Sequence, residues 1–373
     1  MTRSLSTEEA LAIRLRSQRL GPDAAAGSVH EAVSAAAGIQ AQEKPSAFLS
    51  VRSRTSGATL ADVEAALYEE RSVVRTWCMR GTLHLVASEN LSRLLSILGP
   101  AFASRGPETK QLAEMGFDEG GVDRAVGIIE RILAADGPLT RDELADRLVV
   151  EGVGIEPGSR VPNVLIRQAA LRGAICEVAP RDGDNAYDRL REWVSPDEPR
   201  DRERELADLA RRYLSAYAPA SLEDFAAWSG LYMRDVRDAW QAIAAERTEV
   251  DVDGRPASML TEAISERAPS PDEPTVSLLP GYDTYLLGYT PENRPVPEPY
   301  RSRVWPGAGI VRPTVVLDGN VVATWKLDRS ADPPVVLVDA FESLGANQKE
   351  GIEAEVRDVG RFLAEPELAF VEE

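Results

Sequence analysis

Two glutamines, Gln40 and Gln42, are separated by a single residue in the segment GIQAQ. Gly38 is a natural end for the alanine-rich helix before them, and Pro45 disfavours helical backbone at the residue it follows, so 39–44 is predicted to be extended. Side chains at i and i+2 share one face of an extended segment. Each neutral amide offers a carbonyl acceptor and an NH₂ donor, so the pair could hold a water molecule. Two solvated glutamines in a surface loop are the alternative, which the spacing alone favours.

The elements around this segment are predicted from helix caps and turn signals, which are clearest in the middle of the chain. Thr140 and Glu143 form a capping box at the start of one helix, and Val161–Leu171 has the spacing of a second. Strands at Ala174–Val178 and Tyr187–Val194 then enclose a turn signal. The order helix, turn, helix and hairpin is typical of a winged helix.

The same order of elements is predicted twice more. Ser221 and Asp224 cap a short helix, followed by a helix over Met233–Ala244 and a hairpin with an Asp-Gly turn. The N-terminal copy consists of helices at Glu8–Gln18, Val29–Ala37 and Leu60–Tyr68 and strands at Val73–Cys78 and Thr82–Val86.

The predicted fold class is therefore α+β, with three tandem winged-helix motifs and a small β-rich C-terminal subdomain. That subdomain has a hairpin signal within 312–326 and a closing helix near Gln348–Leu363. Proline-rich charged segments at 195–205 and 268–274 are predicted linkers. The predicted domains are 1–110, which carries the glutamine pair, 111–200, 201–270 and 271–373.

The composition of the 373-residue chain excludes several classes of protein. Hydrophobic residues at 43% and charged residues at 28% are typical of a globular protein rather than a disordered one. No apolar run reaches the roughly 20 residues that cross a bilayer, so no membrane partner and a cytoplasmic location are expected. The two cysteines are far apart and only two histidines are present, which argues against a cysteine-ligated zinc site. No metal and no cofactor are predicted, although this count leaves a carboxylate-held magnesium open.

The charge of the chain is distributed unevenly. The net charge of −19 opposes nonspecific binding to nucleic acid. Residues 1–110, however, carry 13 basic and 11 acidic side chains, whereas residues 111–373 carry 29 and 50. Within 71–110 the balance is six basic to two acidic side chains. If DNA binds, we expect it to bind the N-terminal third.

Four separated segments together resemble the AlkZ-like DNA glycosylases. They are GIQAQ at 38–42, RTWCMRGTLHLV at 75–86, LLPGYDTYLLGY at 278–289 and LDGNVVATWK at 317–326. That family has three tandem winged-helix motifs and a QxQ pair as its catalytic signature. The related YcaQ-like branch is expected to have aspartate at the second position of the pair, so Gln42 indicates the AlkZ branch.

The resemblance implies a monofunctional DNA glycosylase with Gln40 and Gln42 as catalytic residues. Its substrates would be N7-alkylated purines in double-stranded DNA, including bulky or interstrand-crosslinked adducts, and its role repair or self-protection against a genotoxic metabolite. Hydrolysis passes through an oxocarbenium-like sugar. Because an N7-alkylated purine is cationic and leaves as a neutral base, two amides that position water would suffice without a proton-transfer group. We expect the chain to act as a monomer.

Basic residues near the pair are candidates for phosphate contacts, which position DNA without reading its sequence. The alternative is that these arginines are solvated or form ion pairs with Glu43, Glu69 and Glu70. The candidates are Arg52, Arg54, Arg75 and Arg80.

Three further residues are candidate DNA contacts. His84 belongs to the RGTLH part of the second segment, although a histidine in an apolar strand is more often structural. Lys44 adjoins the pair, and a Schiff base from it would make the enzyme a lyase, which we do not expect. Lys326 ends a hairpin that could press on the duplex, with core packing as the alternative for its valines and for Trp325.

Two functions of other classes stay open. A winged-helix transcriptional regulator without catalytic activity should bind one operator, usually as a symmetric dimer. A winged-helix scaffold for protein partners is favoured by the acidic segment 331–373, which has 11 acidic and three basic residues. A steep dependence of DNA binding on salt would argue against the scaffold.

Overall fold

Helices and small sheets both occur along the whole chain, so the fold is α+β, as predicted. The structure is a computed structural model with two compact units, one formed by Met1–Glu64 and Leu206–Glu373 and the other by Ala65–Glu205. The residues that it describes are 3–21, 24–156, 158–195, 201–265 and 274–373.

The N-terminal elements begin at side-chain caps. Ser6 forms a capping box with Glu9, and the Ser28 hydroxyl accepts from the third amide of the next helix. That second helix ends in a turn at Gly38, whose φ of +105° favours glycine. The elements are β1 (Arg3–Leu5), α1 (Thr7–Ser17), α2 (Val29–Ala35), β2 (Ile39–Gln40), α3 (Lys44–Arg52) and α4 (Leu60–Tyr68).

The extended segment predicted over 39–44 is shorter than expected. Residues 39 and 40 are extended, but α3 already begins at Lys44. Pro45 lies in the first turn of α3, where the missing amide hydrogen of proline removes no helical hydrogen bond. The prediction that Pro45 keeps Lys44 out of a helix is therefore wrong.

The unit Ala65–Glu205 contains the predicted helix Val161–Leu171 with these bounds and the capping box at Thr140. Two antiparallel hairpins are present, one with Val73 opposite Ala87. Buried leucines, isoleucines and valines of its longer helices form the core. After α4, the elements are β3 (Val73–Trp77), β4 (Leu83–Ala87), α5 (Ser88–Ala103), α6 (Pro107–Glu114), α7 (Glu119–Asp136), β5 (Leu139–Thr140), α8 (Arg141–Val150), α9 (Val161–Leu171), β6 (Ile175–Arg181) and β7 (Asp184–Arg189).

The rest of the chain returns to the first unit. Its elements are α10 (Arg202–Tyr217), α11 (Leu222–Ser229), α12 (Met233–Ala242), β8 (Arg247–Val252), β9 (Arg255–Leu260), β10 (Val276–Leu279), α13 (Thr284–Leu287), α14 (Arg301–Val304), β11 (Thr314–Leu317), β12 (Asn320–Asp328), β13 (Val335–Ala340), α15 (Ala346–Leu363) and β14 (Ala369–Glu372). Strands β10 to β14 form one sheet in sequence order, and α15 covers it with an apolar face. Strand β1 pairs with β8, so N-terminal and C-terminal segments share this unit.

Two predictions about the connections have different outcomes. The linker predicted at 195–205 is wrong at its end, because α10 begins at Arg202 within a run of good helix formers. The linker predicted at 268–274 lies almost entirely outside the described residues. The winged-helix motifs and the domain boundaries stay predictions. Within the described residues, no helix is both long and apolar enough to cross a membrane.

Candidate active site

The two glutamines lie in a segment whose burial alternates. Ile39 and Ala41 are fully buried, whereas Gln40 is half-buried and Gln42 is exposed. Residues 39 and 40 are extended and Gln42 lies in a bend, and both glutamines are more exposed than Ile39 and Ala41. Among the described residues, the Gln42 side chain makes no hydrogen bond, so its amide is available to a ligand.

Two buried hydroxyl groups fix the turn directly before the glutamines. The hydroxyl oxygens of Tyr217 and Thr284 lie 2.6 Å apart. The Tyr217 hydroxyl lies 3.1 Å from the carbonyl oxygen of Ala36 and the Thr284 hydroxyl 3.4 Å from that of Gly38, and the two protons are shared among these three contacts. Gly288 allows Tyr217 to take this position, because a Cβ at Gly288 would overlap the tyrosine ring. Side chains from α10 and α13 therefore hold the backbone that leads into Gln40.

A buried ion pair holds the start of α13 against the end of α3. Both Nη atoms of Arg54 donate to the Asp283 carboxylate, at 2.9 and 2.8 Å, and both side chains are 0% exposed. Arg54 also donates to Gln18 and to the carbonyl oxygen of Ser50. Asp283 in turn accepts from the Ser50 hydroxyl and from the Tyr285 amide. This network fixes the residue before Thr284, and so supports the turn that precedes the glutamines.

Arg52 is likewise internal. Its Nη atoms donate to Asp358 at 2.9 Å and to Glu355 at 3.0 Å, and to the carbonyl oxygen of Leu278. Burial lowers the pKa of the Arg52 guanidinium, but the two carboxylates outweigh burial and raise the pKa above its usual value. Arg52 thus joins α3 to α15 and β10.

The phosphate contacts expected of Arg52 and Arg54 disagree with these positions. The two residues are 2% and 0% exposed, and each is bonded to carboxylates. A phosphate could reach them only by breaking buried ion pairs, which costs about 3–5 kcal/mol each. The ion-pair alternative is closer to the structure, although the partners differ from the glutamates expected.

Arg75 requires the same correction. In the unit Ala65–Glu205 its guanidinium donates to Glu177, and the two residues are 5% and 4% exposed. Arg75 lies on β3 and Glu177 on β6, so the pair joins two hairpins of this unit. A role for Arg75 in packing replaces the phosphate contact expected from the sequence.

Arg80 and His84 form a second pair in this unit. The Nδ1 atom of His84 lies 2.9 Å from the carbonyl oxygen of Thr82, which can only accept, so Nδ1 carries the proton. The other nitrogen, Nε2, therefore accepts from Arg80 Nη2 at 3.5 Å. Burial and the Arg80 charge lower the pKa of His84 to about 3, so the imidazole is neutral at pH 7. His84 is buried beneath the half-buried Arg80. This position disagrees with the DNA contact expected of His84.

The pKa of His84 makes stability depend on pH. Unfolded histidine binds a proton near pH 6.5, but folded His84 does not bind one until about pH 3. The free energy of unfolding should therefore fall by about 1.4 kcal/mol per pH unit as pH drops below 6.5 and stop falling near pH 3, and urea denaturation at several pH values measures it. His84→Asn keeps the donor to Thr82 and should remove this share of the pH dependence, whereas His30→Asn should keep it. If the free energy of unfolding depended on pH below 6.5 equally in His84→Asn and in the unchanged protein, the lowered pKa of His84 would be contradicted.

The two lysines occupy different positions. Lys44 is the first residue of α3 and is half-buried. Lys326 is exposed on β12, and its Nζ lies 2.9 Å from a Glu373 carboxylate oxygen. An exposed ion pair of this kind contributes little to stability and separates readily. Lys326 therefore stays a candidate for phosphate contact.

The hairpin that ends at Lys326 packs into the core. Val315, Val316 and Val321 are at most 1% exposed, and the turn residue Gly319 lies against Leu11 of α1. Core packing of the valines is confirmed. Trp325 is also a core residue, and its indole nitrogen donates to the carbonyl oxygen of Leu279.

Sequence reasoning missed three residues that position the site: Asp283, Thr284 and Tyr217. One signal for Asp283 was present, because it is the one charged residue in the apolar segment LLPGYDTYLLGY. A carboxylate in such a segment needs a buried partner. No pattern in the sequence marks Tyr217 as the residue that bonds to Ala36.

The comparisons with known proteins define the class to which this chain belongs. The family model described as "DNA glycosylase AlkZ-like" matches residues 33–362, so the chain belongs to the AlkZ-like family and is a DNA glycosylase. Its sequence is 30% identical over 343 residues to an "Interstrand DNA cross-link repair glycosylase" of Streptomyces sahachiroi, covering 86% of this chain and 88% of that protein. The solved structure of the Streptomyces sahachiroi DNA glycosylase AlkZ is similar with a TM-score of 0.85 and 28% identity, over 99% of this chain and 100% of that one.

Proposed function

We propose that this DNA glycosylase is monofunctional and hydrolyses the N-glycosidic bond of N7-alkylated purines, including bulky and interstrand-crosslinked adducts. The observation that supports the proposal is the exposure of Gln42 and the partial exposure of Gln40 beside the fully buried Ile39 and Ala41. The curated relative, which is named as a cross-link repair enzyme, supports the substrate class. Protection of the producing cell against a genotoxic metabolite is the role we propose.

The chemistry of the amides fits a substrate that is already activated. A glutamine amide can accept and donate hydrogen bonds, but it cannot take a proton from water as a carboxylate can. An N7-alkylated purine is cationic and departs as a neutral base, so the positive charge that the enzyme must stabilise is on the sugar. Carbonyl oxygens directed at that sugar and at the attacking water lower the barrier without proton transfer. Neutral lesions and undamaged purines are poor substrates for such a site.

Direct hydrolysis by water excludes a covalent intermediate with the enzyme. Lys44 is the nearest amine in sequence, and in a lyase it would attack the sugar to form a Schiff base. We assign Lys44 to binding instead, so the product is an intact abasic site. We also propose that the chain acts as a monomer, and a cytoplasmic location stays a prediction.

The test is an excision assay on three duplexes that differ in one lesion. They carry N7-methylguanine, an interstrand crosslink through two N7 atoms, or uracil. Alkali should cleave the first two after incubation with enzyme and leave the third intact, and borohydride should trap no protein on DNA. Binding to one operator without cleavage would instead favour the regulator, and efficient release of uracil would contradict activation by the substrate.

Lys326 offers a smaller test of how DNA approaches. If its ammonium group contacts a phosphate, Lys326→Gln should reduce the slope of log affinity against log salt by about one and weaken binding at all sequences equally. Lys349→Gln is the matched control, because Lys349 forms a similar exposed ion pair with Glu372. Titration of a fluorescent duplex at several salt concentrations measures both slopes. An unchanged slope for Lys326→Gln would remove this residue from the interface.

A further inference from the structure

A polar cavity of about 250 Å³ lies between α1, the start of β9 and the segment 292–301, all in one unit. Four arginines line it: Arg14, Arg255, Arg294 and Arg301. The reaction proposed for Gln40 and Gln42 does not use this cavity. Its volume would admit a phosphate group or one small phosphorylated molecule, but not a base pair.

Two of these arginines form no ion pair within the described residues. Within the described residues, neither the Arg294 nor the Arg301 side chain forms a hydrogen bond or an ion pair, and the Nε atoms of both are buried without a partner. Arg294 lies over the Trp305 ring at 4.4 Å, which holds the guanidinium in place. Burial and the positive charge of Arg301 together lower the pKa of Arg294 below its usual value. Two like charges are thus held close together at a cost in free energy.

Three acidic residues also line the cavity, but within the described residues none of them forms an ion pair with Arg294 or Arg301. Asp224 is buried and already accepts from the Thr290 amide and hydroxyl and from the Asn293 amide. Glu292 is exposed and its charge acts to raise the pKa of Arg294, but the two side chains form no ion pair. Glu298 is also exposed. Four arginines and three acidic residues thus line the cavity, and the Arg294 and Arg301 guanidinium groups are the ones that keep a buried Nε without a partner.

We propose that this cavity is a phosphate-binding site in which Arg294 and Arg301 provide the donors. Guanidinium groups suit this ligand, because their planar N–H groups match the spacing of phosphate oxygens. A bound phosphate would satisfy the orphaned Nε atoms and remove the repulsion between the two charges. Backbone phosphate of DNA and a free phosphorylated small molecule offer the same chemistry. Only the DNA source depends on the proposed function.

The first arm of the test uses inorganic phosphate alone. Calorimetric titration at constant ionic strength should detect its binding to the unchanged protein, and Arg294→Gln and Arg301→Gln should each weaken it at least about tenfold. Arg312→Gln removes the same charge from an exposed position outside the cavity and should change nothing. Because the pair is destabilising when empty, Arg294→Gln and Arg301→Gln should melt no lower than the unchanged protein without phosphate. A clear loss of thermal stability in both would indicate a structural role and overturn the proposal.

The second arm uses an undamaged duplex to identify which molecule supplies the phosphate. Weaker duplex binding in Arg294→Gln and Arg301→Gln, but not in Arg312→Gln, would assign the site to a DNA backbone phosphate even if inorganic phosphate binds too weakly to detect. Phosphate binding that these variants weaken, with duplex binding unchanged, would assign it to a free phosphorylated molecule. Equal affinities for both ligands in all four proteins would overturn the proposal. Excision of N7-methylguanine by the unchanged protein is assayed in parallel, so failure of the proposed function is recognised separately.

Discussion

Replacement of Gln42 by Ala should lower the single-turnover rate of N7-methylguanine excision about a hundredfold or more, with little change in affinity for the duplex. In the proposed mechanism the exposed amide of Gln42 positions water and faces developing charge in the transition state, and loss of one such preorganised group typically costs 10²–10³ in rate. We expect phosphate contacts elsewhere to supply most of the binding free energy, so affinity should be retained. Single-turnover kinetics with enzyme in excess and a parallel binding titration measure the two quantities.

The neighbouring residue and a distant glutamine make this prediction specific. Gln40→Ala should reduce the rate to a similar degree, and the double variant should lose less than the product of the two factors, because both amides act on the same water. Gln241→Ala removes an exposed glutamine from α12 and should leave the rate unchanged. An unaltered rate in Gln42→Ala would remove the pair from the mechanism.

Local signals predicted the helices well. Val161–Leu171 and Leu60–Tyr68 have the bounds expected from their spacing, and the capping boxes at Thr140 and Ser221 are present. Such signals depend on residues within one turn of each other, so the sequence contains all the information that they need. The wrong prediction for the start of α3 at Lys44 also came from a local signal. A proline can either end a helix or begin one.

The support of the site was not predictable in this way. Arg54 pairs with a residue 229 positions away, and Arg52 pairs with one 306 positions away. Nothing near an arginine in the sequence distinguishes a solvated side chain from one that is buried against a distant carboxylate. The extended backbone at Ile39–Gln40 was predicted from Gly38, whereas the anchoring of the preceding turn by Tyr217 depends on packing between residues 181 positions apart.

This division also separates two kinds of residue at the site. Gln42 is exposed, so it adds little to the free energy of unfolding. The residue at this position can therefore be one that suits the reaction rather than the packing. Asp283 and Arg54 are fully buried and unable to touch DNA without unfolding, so they act only through the backbone that they hold. Substitutions of the two kinds should therefore differ in their effects on rate and on stability.

Asp283→Asn should lower the free energy of unfolding by about 3–5 kcal/mol, the largest effect on stability that we expect at this site. The variant keeps the shape of the side chain but leaves the charge of Arg54, which is 0% exposed, without its carboxylate. Urea denaturation followed by circular dichroism measures the loss. Excision by the protein that stays folded should also slow, because the segment that carries Thr284 no longer holds the turn at Gly38.

Two controls show whether the loss in Asp283→Asn comes from the missing carboxylate charge or from substitution in general. One is a partly exposed ion pair, and the other is a double variant. Asp339 pairs with Arg303 at 2.5 Å in the same unit, but its side chain is 47% exposed, so Asp339→Asn should cost at most about 1 kcal/mol. Adding Arg54→Gln to Asp283→Asn removes the uncompensated charge as well, so the double variant should lose less than the sum of the two single losses. A loss in Asp283→Asn as small as that in Asp339→Asn would mean that Arg54 does not depend on its carboxylate, and the turn before Gln40 would then require a different anchor.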